Sequence, residues 1–141
     1  MDTRLDFPWK ALRFGIGLTA TLAGLDKFLN VLADWGTYVS PLAVQLLPVS
    51  TGTFMGVVGV IEIAVGVAIL AAWTRIGAYV ASAWLIGVAV NLLLGGFYDV
   101  AVRDVVMAIA AFTLARLTEV RQQAPAYSFN ALAGHGSRLT A

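Results

Sequence analysis

Four apolar segments, roughly Trp9 to Ala33, Phe54 to Trp73, Ile76 to Phe97 and Val100 to Val120, take up most of this chain of 141 residues. Each is about 20 to 25 residues long, and a helix rising ~1.5 Å per residue needs about 20 residues to cross a hydrocarbon core of ~30 Å. The chain is 60% hydrophobic and 12% charged, with a mean hydropathy of +0.84. A soluble domain of this size cannot hide that much apolar surface. The expected fold is therefore all-α, an integral membrane four-helix bundle. Residues 1–121 form the bundle, with helices at about 9–33, 54–73, 76–97 and 100–120, and residues 122–141 form a flexible C-terminal tail rich in small and polar residues.

Four crossings put both termini on one side, and the basic residues say which. Arg4, Lys10 and Arg13 open the first helix, Arg75 sits between the second and third, and Arg116 and Arg121 close the fourth, whereas the long loop from Asp34 to Thr53 has no Lys or Arg. The excess of basic residues on cytoplasmic loops places the N and C termini in the cytoplasm and the protein in the cell's inner membrane as a multi-pass chain. The first segment differs from a cleaved signal peptide because Asp26 and Lys27 interrupt its apolar run. Trp9, Trp35, Tyr38, Trp73, Phe97 and Tyr98 fall at the expected interfaces. Within the outer loop, Leu42 to Leu47 is too short to span and is expected to lie along the surface as a short amphipathic cap.

Composition also removes whole classes of chemistry. The chain has no cysteine and a single histidine, His135 in the tail, so it can build no disulfide, thiol redox centre, iron–sulfur ligation or bis-histidine haem from its own residues. A net charge of +1 gives no basic surface for nucleic acid. No intrinsic cofactor and no metal site is expected, and electron transfer would need a diffusible carrier such as a quinone.

Small residues prepare close helix packing: Gly52, Gly56, Gly59 and Gly66 on the second helix, Gly87, Asn91 and Gly95 as a stripe on the third, and Asp104, Ala108, Ala111 and Ala115 on one face of the fourth. Trp84 reads as bundle packing. Against this background, six polar side chains stand out: Asp26, Lys27, Glu62, Asn91, Arg103 and Asp104. Charges inside a spanning helix cost at least a few kcal/mol and turn towards a bundle interior. By residue count they fall in the outer half, Glu62 about 12 Å below Phe54 and Asn91 about 9 Å below Phe97.

Three carboxylates face two cations in this layer. Pairing of Asp26 or Glu62 with Lys27 or Arg103 is the economical arrangement; Asp26 and Asp104 are expected as the structural ion pairs, and Glu62, the deepest carboxylate, as the unmatched and proton-carrying group. Lys27, Arg103 and Asn91 supply the donors that would hold a ligand such as a quinone head group. The same network would equally serve to lock four helices in register.

Several of these residues fall in a pattern that resembles the DoxX-like membrane proteins, a family of small four-helix bundles. The match is carried by Leu12-Arg13-Phe14-Gly15-Ile16-Gly17 and Ala23-Gly24-Leu25-Asp26-Lys27-Phe28, by Gly59-Val60-Ile61-Glu62-Ile63 with Gly66, and by Val102-Arg103-Asp104-Val105, over roughly residues 10 to 118. The resemblance implies that Lys27, Glu62, Arg103 and Asp104 occupy the family's recurring polar positions. It also implies a small subunit of a quinone-linked respiratory or redox complex, since some DoxX- and DoxD-like members are subunits of sulfur-compound:quinone oxidoreductases and others associate with redox-protective enzymes. Asp26 before the lysine and the absence of cysteine depart from that pattern and argue against direct thiol chemistry. The expected partners are membrane lipids and a larger membrane complex or further copies of the chain, and a structural or assembly subunit without chemistry of its own is the alternative.

Overall fold

The protein is all-helical in a computed structural model that describes residues 3–136, with side chains for residues 3–123. After a short 3-10 turn at Thr3–Leu5 come α1 (Asp6–Leu29), a second 3-10 turn (Trp35–Tyr38), α2 (Pro41–Leu46), α3 (Thr51–Leu70), α4 (Thr74–Leu94) and α5 (Tyr98–Gly136). The surface cap expected at Leu42 to Leu47 is thus a short helix. Ser40 caps its N-terminus, and Pro41 sits where a missing N–H costs nothing. Along the segment expected as a tail, α5 continues through residues 122–136, and residues 137–141 lie outside the described residues.

Two of the helices, α3 and α4, are long and apolar enough to cross a membrane. The other two long helices carry charges that break their apolar runs: the longest uncharged run of α1 is residues 14–25, and the apolar run of α5 is confined to residues 105–115 between Asp104 and Arg116. Their outward faces are nonetheless apolar, with Phe14, Leu18 and Leu22 on α1 and Val102, Val106 and Ile109 on α5 all exposed.

Capping chemistry rather than hydropathy sets the helix ends. α1 stops at Leu29, four residues short of the expected Ala33, because Asn30 adopts a left-handed conformation (φ 50°) that asparagine tolerates. The Asp26 carboxylate then accepts from the amides of Val31, Leu32 and Ala33. α3 starts three residues before Phe54, where the Ser50 hydroxyl accepts from the Thr53 amide. α4 closes on Gly96, whose φ of +83° favours glycine, and the Phe97 amide returns to the Leu92 carbonyl.

The long helices pack in antiparallel pairs, α1 along α3 and α4 along α5, with α3 on α4 and α1 on α5 completing the bundle. Glycine backbone contacts define the first pair. A Cβ on Gly24 would stand 2.6 Å from the Gly59 carbonyl oxygen, and one on Gly66 would stand 2.7 Å from that of Gly17. The second pair closes on alanines: Ala78, Ala81 and Ala89 are buried, as are Ala101, Ala108, Ala111 and Ala115. The expected glycine stripes need correcting, because Gly52 and Gly87 face open space and take no part in packing. We expect Gly24→Val to destabilise the bundle by about 1–3 kcal/mol through overpacking. Gly87→Ala should be neutral or slightly stabilising, and thermal unfolding in mild detergent compares the two.

Charge is divided sharply between the two ends. At the start of α1, the α3–α4 turn and residues 116–121 of α5 lie Arg4, Lys10, Arg13, Arg75, Arg116 and Arg121, against Asp6 and Glu119 as the only described carboxylates. Here Arg13 donates to the carbonyls of Ile69, Leu70 and Ala71, which close α3. Arg121 pairs with Asp6 at 2.6 Å, and Trp9 donates to the Thr118 hydroxyl. The Arg13 and Arg121 guanidiniums stand 5.1 and 4.3 Å from the Trp9 ring centre. The opposite end carries the acidic residues and the polar cluster.

Candidate functional site

The cluster is built where α1 and α3 come closest at the acidic end. Backbone contact at Gly24 and Gly59 brings the next turn of α1 over α3, so that Lys27 reaches Glu62 with Nζ 2.6 Å from Oε2. Both side chains are largely sealed, at 5% and 16% exposure. Such a pair, removed from solvent, gains from a direct charge-assisted hydrogen bond what it loses in hydration. Glu62, expected as the unmatched carboxylate, is therefore the matched one. The side chain of Lys27 is long enough to descend into the bundle, which a count of helical rise alone does not register.

Asp26 and Asp104 are in no ion pair among the described residues, contrary to the expectation for both. Asp26 serves the backbone instead: besides the three loop amides, its carboxylate accepts from the indole N–H of Trp35 at 2.8 Å. That bond holds the Trp35 ring over the ammonium of Lys27, whose Nζ lies 3.9 Å from the ring centre. Asp104 is 9% exposed and bonds to no described residue, while lying within electrostatic range of Arg103, Glu62 and Lys27. Arg103 itself faces outward and is exposed. Adjacent residues on a helix are turned by about 100°, and the buried series Ala101, Asp104 and Ala108 fixes which of the two faces inward.

Asn91 joins a different contact. Its amide donates to the Tyr38 carbonyl at 2.8 Å and its oxygen accepts from the Ser40 amide at 3.0 Å, tying the loop before α2 onto α4. The Tyr38 ring packs edge-on against Phe97, with ring centres 5.0 Å apart. With both the nitrogen and the oxygen of its side-chain amide engaged, Asn91 acts as a clamp for the cap over the cluster. The sequence reading placed Trp35 only as an interfacial aromatic; the signal for its role was Asn30, a residue suited to ending a helix, in the interval between Asp26 and Trp35.

On α4, the indole N–H of Trp84 is buried without an acceptor among the described residues. Gly77 packs on Ile69. Two turns further along these antiparallel helices, Trp84 therefore stands level with Glu62. Buried polar atoms are rarely left unpaired, which singles out the Trp84 N–H, whereas the unbonded Asp104 carboxylate keeps some access to the surface. Among the described residues no group of histidine and carboxylate side chains is placed to hold a metal ion. No protein-family model, curated protein or solved structure matches the chain.

Proposed function

We propose that the chain is a four-helix integral membrane protein of the DoxX-like kind, with its basic end and both termini in the cytoplasm. We further propose that it serves as a small subunit of a respiratory or redox complex. In this reading α1 and α5 span alongside α3 and α4, their charges turned inward or to the interfaces and their apolar faces towards lipid. The outer-half cluster engages a quinone head group or relays a proton to one. The observation that carries the reading is Asp104, 9% exposed and without a hydrogen bond to any described residue, set within electrostatic range of the Lys27–Glu62 pair.

Chemically, a quinone needs donors for its carbonyl oxygens and a proton on reduction. The unpaired Trp84 N–H supplies a donor, Lys27 a second if Glu62 releases it, and Asp104 an acceptor that can pass a proton on. Arg103, exposed on the outer flank of α5, is suited to the rim of such a site and not to its interior.

A structural role is favoured by a separate observation: Lys27, Glu62, Asp26 and Asn91 all have partners within the chain. The two readings separate on Asp104→Asn and Glu62→Gln. A proton-carrying site predicts that Asp104→Asn, and Glu62→Gln made together with Lys27→Met so that no buried ammonium is left unpaired, keep their fold and assembly but lose at least tenfold in quinone-linked turnover of the purified complex. Unchanged turnover in both would leave the register role.

A further inference from the structure

An ammonium carries three N–H donors, and the fold gives Lys27 an oxygen for only one of them. Its Nζ donates to Glu62 Oε2 at 2.6 Å and to no other described residue, while the Trp35 ring lies over it with its centre 3.9 Å away. An aromatic face holds a cation less firmly than an oxygen acceptor does. The ring therefore fills a place where an acceptor would bind Lys27 with the ion pair left in being. Lys27 can serve a ligand by leaving Glu62 or by losing the cover of Trp35, and only the second strands no buried charge.

The loop is built so that Trp35 can move while both ends of the loop stay tied. At its start, the Asp26 carboxylate accepts from the amides of Val31, Leu32 and Ala33. At its end, Val39 and Ser40 are buried, and Asn91 bonds the Tyr38 carbonyl and the Ser40 amide. Between these ties Trp35 is half-buried, with exposed Asp34 and Thr37 on either side, and its side chain makes one hydrogen bond, from the indole N–H to Asp26 at 2.8 Å. The backbone bonds of its turn, 3.2 Å from Thr37 to Asp34 and 3.3 Å from Val39 to Gly36, are at the long end of the range. One side-chain bond and one ring contact are what an outward turn of the indole has to break.

We propose that Trp35 is a lid tethered by Asp26, and that the ligand's planar head group displaces it and sets a carbonyl oxygen on the Lys27 N–H that the ring covers. The inference rests on the reading of the cluster as a quinone-linked site and adds the way in, past the loop at the acidic end. Two features select a flat ring bearing acceptors. The space it enters is the one an indole fills, and the ammonium beneath lacks a second oxygen. The Tyr38 ring, centred 6.3 Å from that of Trp35 and packed on Phe97, stays with the Asn91 tie as an aromatic wall beside it.

The test measures the affinity of the full chain in mild detergent for duroquinone, a fully substituted benzoquinone, by equilibrium dialysis against empty micelles. A lid that must be displaced weakens apparent binding, so its removal in Trp35→Ala should tighten binding by about fivefold, and its untethering in Trp35→Phe by less. A ring that instead stacks on the ligand predicts the reverse, and unchanged or weaker binding in Trp35→Ala overturns the proposal. A second measurement needs no altered affinity: the four tryptophans are replaced by fluorotryptophan, and the Trp35 fluorine resonance is assigned by its absence from Trp35→Phe. Saturating duroquinone should move that resonance and leave those of Trp9 and Trp73, at the basic end, in place. A Trp35 resonance that stays fixed in a chain that binds duroquinone overturns the lid alone. Absence of binding to the unaltered chain and to both variants overturns the quinone reading and this inference together.

Discussion

Lys27→Ala will destabilise the bundle by about 3–5 kcal/mol, the cost of leaving a buried carboxylate without its counter-ion. Glu62 is 16% exposed and the ammonium is the cation bonded to it, at 2.6 Å. With the ammonium gone, Glu62 must draw in water or take up a proton, and the Trp35 ring loses the cation it covers. Removing both charges costs much less than removing one, since a pair exchanged for apolar groups of similar volume is often near neutral. The Lys27→Met/Glu62→Leu double variant should therefore recover most of the stability lost in Lys27→Ala. Thermal unfolding in mild detergent reads all three, and an unchanged midpoint for Lys27→Ala would refute the buried pair.

Asp26→Ala will release the loop from the acidic end. One carboxylate holds three consecutive amides, Val31, Leu32 and Ala33, together with the Trp35 indole, and no other described group is placed to replace it. We expect hydrogen-exchange protection at Val31 and Leu32 to fall by roughly tenfold or more, and Trp35 emission to shift to the red as the ring leaves Lys27. Asp26→Asn retains an acceptor oxygen and should keep part of both signals. Protection that survives Asp26→Ala would mean that Asn91, through Tyr38 and Ser40, holds the loop alone.

The two substitutions act on one assembly. Asp26 positions Trp35, Trp35 covers Lys27, and Lys27 neutralises Glu62, so a chain of direct contacts runs from the loop to the middle of α3. Asp104 lies beside that chain without a bond of its own. For this reason the proposed chemistry is best sought at Asp104, whose loss leaves these contacts intact.

Much of this was legible in the residues. Long apolar runs required helices, and the rarity of charge within them picked out Asp26, Lys27, Glu62 and Asp104 as residues with work to do inside the bundle. The buried alanine face of α5 followed from three- and four-residue spacing. Helix ends were legible only in part: hydropathy carried α1 through Val31-Leu32-Ala33, where the Asp26 carboxylate and the left-handed Asn30 end it. Charges at both ends of α1, and in the first turns and middle of α5, also keep those helices from meeting the length and apolarity that α3 and α4 satisfy.

What the sequence by itself determined is the helical class, the separation of basic from acidic ends and the identity of the polar residues, because these depend on composition and on periodicity along one helix. Only the tertiary structure decided the partners. That Lys27 meets Glu62 depends on α1 and α3 touching at Gly24 and Gly59. That Arg103 stays outside while Asp104 turns in depends on which face of α5 packs on α4. Pairing is a property of helix register and rotation between segments far apart in the chain, and no local pattern encodes it.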